Sequence, residues 1–477
     1  MVESLGHKVI RGTIWASIDR IGTMALQFIV NLILARLLMP KDFGYIGMLA
    51  IFISVSQTLV DGGFGSALIQ KKEPTQKDYS TIFYWNLIFS VILYVVLYVA
   101  APYVALFFKL PLLSKILRTQ GLILIVNALV IVQNNRLRKQ LAFRTIALIN
   151  ISSLLTASAI AIGAAYKGFG VWSLVIMQLM YGVLQNCLLW SIVRWFPDRI
   201  FSFESLKRLF GFGSYLLAAN MLQVICQNMQ GIIIGRKFSA TQMGFYTQAK
   251  KLDDVGSTTL PNIIVQVIFP VYSQFQNDKQ KLQEMLSISV RVISYFIFPL
   301  MLSLILVAEQ LIVFLYGERW LSSVPFFQVL CVGGIFVCLQ NINYYAVAAI
   351  GKSKALFGWS FYKWGVLLTL LLVGAHWGMY GMLWGMVISS INIFLVNAAL
   401  ACKYIGYTIS RQVRDFMPVL IIGLLIFISI YLLKIYIPYM HFIVAALLFG
   451  TLYIVLTWMF QLQVIKDITH IKTSLIK

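Results

Sequence analysis

Charge is scarce in this 477-residue chain: 11% of its residues are Asp, Glu, Lys or Arg, and 60% are hydrophobic. A soluble protein carries about a quarter charged residues, so a soluble globular fold is excluded. A mean hydropathy of +0.85 implies a polytopic membrane protein instead. Acidic residues are scarcer still, 16 against 38 Lys and Arg, for a net charge of +22. Such an excess can serve nucleic acid or anionic lipid. In a membrane chain its ordinary source is the loop Lys and Arg that fix orientation, and no nucleic-acid partner is expected. Cysteines number five (Cys187, Cys226, Cys331, Cys338, Cys402), all in apolar segments and none in a CxxC pair. They read as small core residues rather than a disulfide framework or metal site. His7, His376, His441 and His470 all fall at segment ends, which argues against a histidine metal site or a buried proton relay. No long polar segment interrupts the chain: the longest, around 195–209 and 272–286, leave no room for an inserted soluble domain. Lys8 and Arg11 precede an apolar run too long for a signal core, with no small-residue cleavage site behind it, so no cleaved leader is expected.

What is present is apolar length. A spanning helix needs about 20 largely apolar residues. The chain therefore reads as all-α with about 14 spans, near 10–37, 43–68, 81–108, 118–133, 143–166, 170–194, 210–235, 244–271, 287–316, 325–350, 355–375, 380–402, 416–437 and 440–463. With the N-terminus in the cytoplasm, Lys and Arg of the inside loops outnumber those outside by roughly two to one. Both termini and the basic turn at 136–144 are then predicted to be cytoplasmic.

The first span carries Asp19 and Arg20 near its middle. At 100° per residue Thr13, Ser17, Thr23, Gln27 and Asn31 fall within about 60° of Arg20. A spanning helix with such a stripe must turn it to protein or water. The pattern recurs two hundred residues on: Ile33-Leu34-Ala35-Arg36 becomes Ile233-Ile234-Gly235-Arg236, Gly44-Tyr45 becomes Gly244-Phe245, and Gln27 becomes Gln227. The second copy carries Asn220, Gln223 and Gln227 at the same phase. Six spans separate the copies, an even number, so two parallel six-helix lobes are predicted around one shared cavity. Their boundaries are 1–199 and 200–405, and 406–477 adds spans 13 and 14 with a cytoplasmic tail.

Ionisable residues at membrane depth usually face a cavity. Span 8 is densest: Tyr246, Lys250, Asp253, Asp254 and Ser257 share a face, and Lys250 reaches Asp253 at i+3 and Asp254 at i+4. Helix–helix glue is the rival reading of that cluster, and pairing with Asp19 or a neighbouring helix is the rival for Arg20. The matching face of span 2 has Ser54, Gln57 and Asp61 but no cation. Lys363 lies about 12 Å into span 11, within reach of snorkelling. Arg36, Arg236 and Arg291 sit near helix ends and are expected to snorkel, and Trp172, Trp377 and Trp384 suit an interfacial belt.

LARLLMPKDFGYIGM (34–48), DGGFGSALIQKK (61–72) and GRKFSATQMGFYTQAKKL (235–252) resemble bacterial polysaccharide flippases, nearest the branch of colanic-acid and teichuronic-acid exporters. The similarity runs over nearly the whole chain. It implies the multidrug/oligosaccharidyl-lipid/polysaccharide exporter superfamily, a 12+2 helix plan and residence in the bacterial inner membrane. The implied cargo is an undecaprenyl-pyrophosphate-linked oligosaccharide, moved outward across the bilayer by alternating access, and no enzymatic activity is implied. Arg20, Lys250 and Lys363 could supply cavity cations for the pyrophosphate, and Gln27, Asn31, Gln57, Asn220, Gln223 and Gln227 could meet the sugars. Asp19, Asp253 and Asp254 are candidates for proton or sodium coupling, with no other cofactor or metal expected. A polysaccharide polymerase and other assembly proteins are conceivable partners. A drug exporter of the same superfamily is the competing transport reading, disfavoured by membrane-depth lysines. A membrane polymerase or glycosyltransferase is the competing enzyme, disfavoured by short loops.

Overall fold

Capping residues set the helix boundaries. Thr75 accepts from the Asp78 amide while the Asp78 carboxylate accepts from the Thr75 amide at 2.8 Å, a reciprocal cap that satisfies two otherwise orphan donors. Ser202, Asp278 and Thr408 cap the starts at 203, 279 and 409, each side chain accepting from the amide three residues on. Gly62 and Gly406, both in the left-handed region, end helices at Asp61 and Ile405. The resulting order is α1 (Leu5–Leu37), α2 (Pro40–Asp61), α3 (Gln76–Phe108), α4 (Leu112–Gln120), α5 (Ile123–Ala128), α6 (Ile131–Lys139), α7 (Phe143–Tyr166), α8 (Val171–Val193) and α9 (Phe203–Lys237). It continues with α10 (Ala240–Asp254), a π-helical turn (Val255–Thr259), α11 (Leu260–Gln274), α12 (Lys279–Tyr316), α13 (Val324–Ala349), α14 (Ser353–Gly374), α15 (Gly378–Ile405), α16 (Ile409–Tyr436) and α17 (Phe442–Met459).

This computed structural model describes residues 5–467 and Thr469, apart from 66, 67, 69, 70, 72, 438 and 439; at 5–10, 208, 209, 212, 213, 215, 216, 219, 267 and 353 only the course of the chain is described. Most of the expected tail, and five residues of the DGGFGSALIQKK segment, lie outside the described residues. No strand occurs among the described residues. Among the described residues eleven stretches are long and apolar enough to cross a membrane, or up to 12 if the bent pair within 240–274 is one span. The sequence predicts about 14. Helix α9 lies outside that count, and the stretch Lys354–Ile405 holds both α14 and α15, joined by a 3-10 turn. The fourth expected span is built from three short helices, α4 to α6. The protein is an all-α, multi-pass membrane protein.

The chain divides into two units, Met1–Gly244 and Phe245–Lys477. In the first, α1 packs on α7, α7 on α8, α2 on α9, and α3 on α4 and α5. The segment after α8 is tied to the first turns of α3: Trp195 Nε1 donates to Gln76 Oε1 at 2.7 Å, and the Ser202 amide donates to Thr81 Oγ1 at 3.1 Å.

In the second unit α13 lies against α12 and α15, while α16 and α17 pack on α12. Arg291 lies well inside α12 rather than near a helix end, and contrary to expectation it does not snorkel. It donates to Asp415 Oδ1 at 3.0 Å and to Asp467 Oδ2 at 2.7 Å, and its side chain is only 15% exposed. Two carboxylates distant in sequence outcompete the interface, because a paired guanidinium keeps its hydrogen bonds while leaving water. Tyr407 also donates to Asp415, and burial followed by that bond pushes the phenol's pKa up. Arg236 follows expectation more closely, exposed and 5.2 Å above the Phe107 ring. Cys331 and Cys338 are buried, whereas Cys187 is exposed and so is not a core residue.

Candidate functional site

Polar side chains at helical spacing converge inside the first unit. Helix α2 presents Ser54, Gln57, Thr58 and Asp61, and α9 presents Asn220, Gln223 and Gln227, each set on one face by the i, i+3, i+4, i+7 rule. With Asn127 of α5 and Gln178 and Tyr181 of α8 they line a cavity of about 740 Å³. Ile53, Ile123, Ile131 and Val224 complete the wall, and the polar side chains between them offer hydrogen-bonding groups to a hydroxyl-rich ligand. Asp61 is the one charged group in this lining among the described residues.

Backbone proximity explains why α2 and α9 face each other. A β-carbon at Gly231 would lie 2.8 Å from the Gly47 carbonyl oxygen, and one at Gly235 would lie 2.9 Å from Met48 Cγ. Small residues let two membrane helices approach closely, which brings their polar faces to a common space. The repeat suggests that the stripe of α9 shares a cavity with the stripe of α1; within the first unit it meets the polar face of α2. Asn127 Nδ2 donates to Gln57 Oε1 at 3.0 Å, and Gln120 Nε2 donates to Gln178 Oε1 at 2.8 Å, fixing three amides of the wall. Among the described residues nothing in the protein hydrogen-bonds the Gln223 and Gln227 side chains, which leaves their donors and acceptors open. Asn127, Gln178 and Tyr181 are not apparent from the repeat, although a single Asn within ILIVNALVIV is itself a sign of a satisfied partner or a wet face.

The other expected residues lie elsewhere. Arg20 and Gln27 are exposed on α1 and, like the half-buried Asn31, are not part of this lining. Asp19 is held by Asn150 of α7, whose Nδ2 donates to its two oxygens at 3.1 and 3.2 Å, while Asn150 Oδ1 accepts from Gln185 of α8 at 2.8 Å. Lys363 of α14 has Tyr344 and Trp364 rings at 5.6 and 5.4 Å and no carboxylate within ion-pair distance among the described residues. In α10 the spacing-predicted pairs form: Lys250 Nζ lies 2.7 Å from Asp253 Oδ2 and 2.7 Å from Asp254 Oδ1. The π-helical turn begins immediately afterwards, a distortion that recurs at functional sites. No group of three His, Cys, Asp or Glu side chains able to hold a metal ion occurs among the described residues.

Known proteins fit this architecture. The teichuronic acid biosynthesis protein TuaB of Bacillus subtilis (strain 168) is 27% identical over 423 residues, covering 87% of each chain. The lipopolysaccharide biosynthesis protein WzxC of Escherichia coli (strain K12) is 24% identical, covering 78% of this chain and 75% of that one. Among solved structures, the lipid II flippase MurJ in an inward closed conformation shares the fold, with a TM-score of 0.74 at 14% identity over 94% of this chain and 98% of its own. The model of the polysaccharide biosynthesis protein family matches residues 33–325, and the chain belongs to that family.

Proposed function

We propose that this protein is a flippase that moves undecaprenyl-pyrophosphate-linked oligosaccharide units across the bacterial inner membrane by alternating access, with both termini cytoplasmic. The observation that carries this reading is the amide-lined cavity of the first unit, in which Gln57, Asn220, Gln223 and Gln227 present donors and acceptors inside an apolar bundle. Sugar hydroxyls need paired donors and acceptors, which carboxamides supply without a net charge to desolvate. Relatives named for teichuronic acid and lipopolysaccharide biosynthesis, and a fold shared with a lipid II flippase, support the same cargo class.

Arg20 and Lys363 are the cations we assign to the pyrophosphate, since neither has a carboxylate partner among the described residues. Lys250 is already bridged by two carboxylates. Coupling to a proton or sodium gradient would act at Asp19 in the first unit; at Asp253 and Asp254 in the second, where Lys250 already occupies the carboxylates, it would be to a proton. A polymerase that joins the delivered units would be the natural downstream partner. The experiment is to delete the gene and analyse lipid-linked saccharides: accumulation of one undecaprenyl-linked oligosaccharide in the inner leaflet is expected. An unchanged lipid-linked pool with normal surface polysaccharide would refute the reading.

A further inference from the structure

We infer that the ammonium of Lys250 is a tethered cation, filling an oxygen site made by Asp253, Asp254, Ser257 and Thr258 that would otherwise take a small monovalent metal ion such as sodium. Lys250 Nζ contacts one oxygen from each of two successive carboxylates at 2.7 Å. Ser257 Oγ donates to Asp253 Oδ2 at 3.1 Å, and Thr258 Oγ1 donates to Asp254 Oδ1 at 3.2 Å. Two carboxylates thus hold one positive charge while two hydroxyls from the next turn hydrogen-bond the same two carboxylate oxygens, a cluster of hard oxygens of the kind that suits a hard cation.

Three further features distinguish this arrangement from an ordinary helical ion pair. Asp253 is 2% exposed, and its second oxygen, Oδ1, has no hydrogen-bond partner, leaving an unused ligand atom inside the protein. The hydroxyls come from the π-helical turn Val255–Thr259, which departs from α-helical register where they are needed. Helix α13 approaches through Gly334, where a β-carbon would lie 2.9 Å from Asp253 Oδ1 and 2.8 Å from Ser257 Cβ, so the buried carboxylate fits only against glycine. Two adjacent carboxylates at membrane depth repel strongly unless a cation sits between them. The lysine supplies that cation covalently, so the wild-type site has no need of a dissolved ion.

The inference requires no assumption about the cargo, and cation binding tests it separately from transport. Purified full-length protein would be unfolded thermally in sodium, lithium and choline chloride at equal ionic strength, and titrated with radioactive sodium. The wild type is expected to bind no sodium through Asp253 and to gain no stability from sodium that Asp253→Asn removes. Lys250→Met, which keeps the stem and removes the charge, is expected to be stabilised by sodium or lithium over choline and to bind sodium at least ten-fold more tightly than the wild type. That gain should vanish in Lys250→Met/Asp253→Asn. Lys250→Gln serves as the second variant. Sodium binding by the wild type that Asp253→Asn removes, or the same unfolding of both variants in sodium and choline, overturns the inference. Failure of both variants to fold in every salt, sodium included, overturns it too, because a sodium ion would have replaced the lysine.

Discussion

Gly44 lies so close to Ala240 that a β-carbon on the glycine would sit 1.7 Å from the Ala240 carbonyl oxygen. The reverse contact is nearly the same: a β-carbon on Gly244 would sit 1.8 Å from the Pro40 carbonyl oxygen. Pro40 and Ala240, like Gly44 and Gly244, are related by the two-hundred-residue repeat, so the starts of α2 and α10 touch through exchanged, equivalent atoms. A self-complementary contact of this kind is what a local two-fold relation produces.

Gly44→Ala and Gly244→Ala should each destabilise the protein by about 3 kcal/mol, the upper end for overpacking, because backbone carbonyls cannot swing aside as side chains do. Gly163→Ala, where nothing lies within 4 Å of the added carbon, is the control and should leave stability unchanged. Thermal unfolding in detergent distinguishes them; equal midpoints for all three variants would remove this contact from the account.

Much of this was legible in the sequence, for physical reasons. The α10 ion pairs follow from i, i+3 and i, i+4 spacing, which a helix converts directly into proximity. The Gly44/Gly244 repeat marked equivalent positions correctly, yet gave no sign that those positions touch. Arg291 was misread because its partners, Asp415 and Asp467, lie more than a hundred residues away, where spacing carries no information. The cavity wall was half legible. Stripes on α2 and α9 announce themselves by period, whereas Asn127 and Gln178 are isolated polar residues whose direction only packing decides.

Arg291→Ala should lower stability by about 3 kcal/mol, since it leaves Asp415 and Asp467 largely buried without their cation. It should also free the segment after α17, exposing 460–467 to limited proteolysis. Proteolysis identical to wild type would show that the buried Val464, rather than the ion pair, holds that segment.

Asn150→Ala removes the single nitrogen that hydrogen-bonds both Asp19 oxygens and should destabilise by about 2 kcal/mol. Asn150→Asp, which places a second carboxylate against the first, should be worse at neutral pH and recover as pH falls. Unfolding midpoints across a pH series check this, and an Asp variant as stable as wild type at neutral pH would contradict it.

Arg20→Ala and Lys363→Ala should each reduce polysaccharide export severely at normal expression, with Arg20→Lys milder, because a charge-assisted contact to phosphate contributes about 1.5–3 kcal/mol. Surface polysaccharide measured against membrane protein level reads the effect. Normal export by both alanine variants would make these cations structural.

The central claim is that the amide-lined cavity passes a lipid-linked oligosaccharide through the membrane, and leaflet exchange in vesicles measures this directly. Purified protein would be reconstituted with a labelled undecaprenyl-pyrophosphate oligosaccharide, and the fraction reaching the opposite leaflet followed over time. Wild type should exchange the lipid well above protein-free vesicles, and a Gln57→Ala/Gln223→Ala/Gln227→Ala variant with a wild-type unfolding midpoint should be at least ten-fold slower. Exchange no faster than in protein-free vesicles, or a triple variant as fast as wild type, would contradict the account.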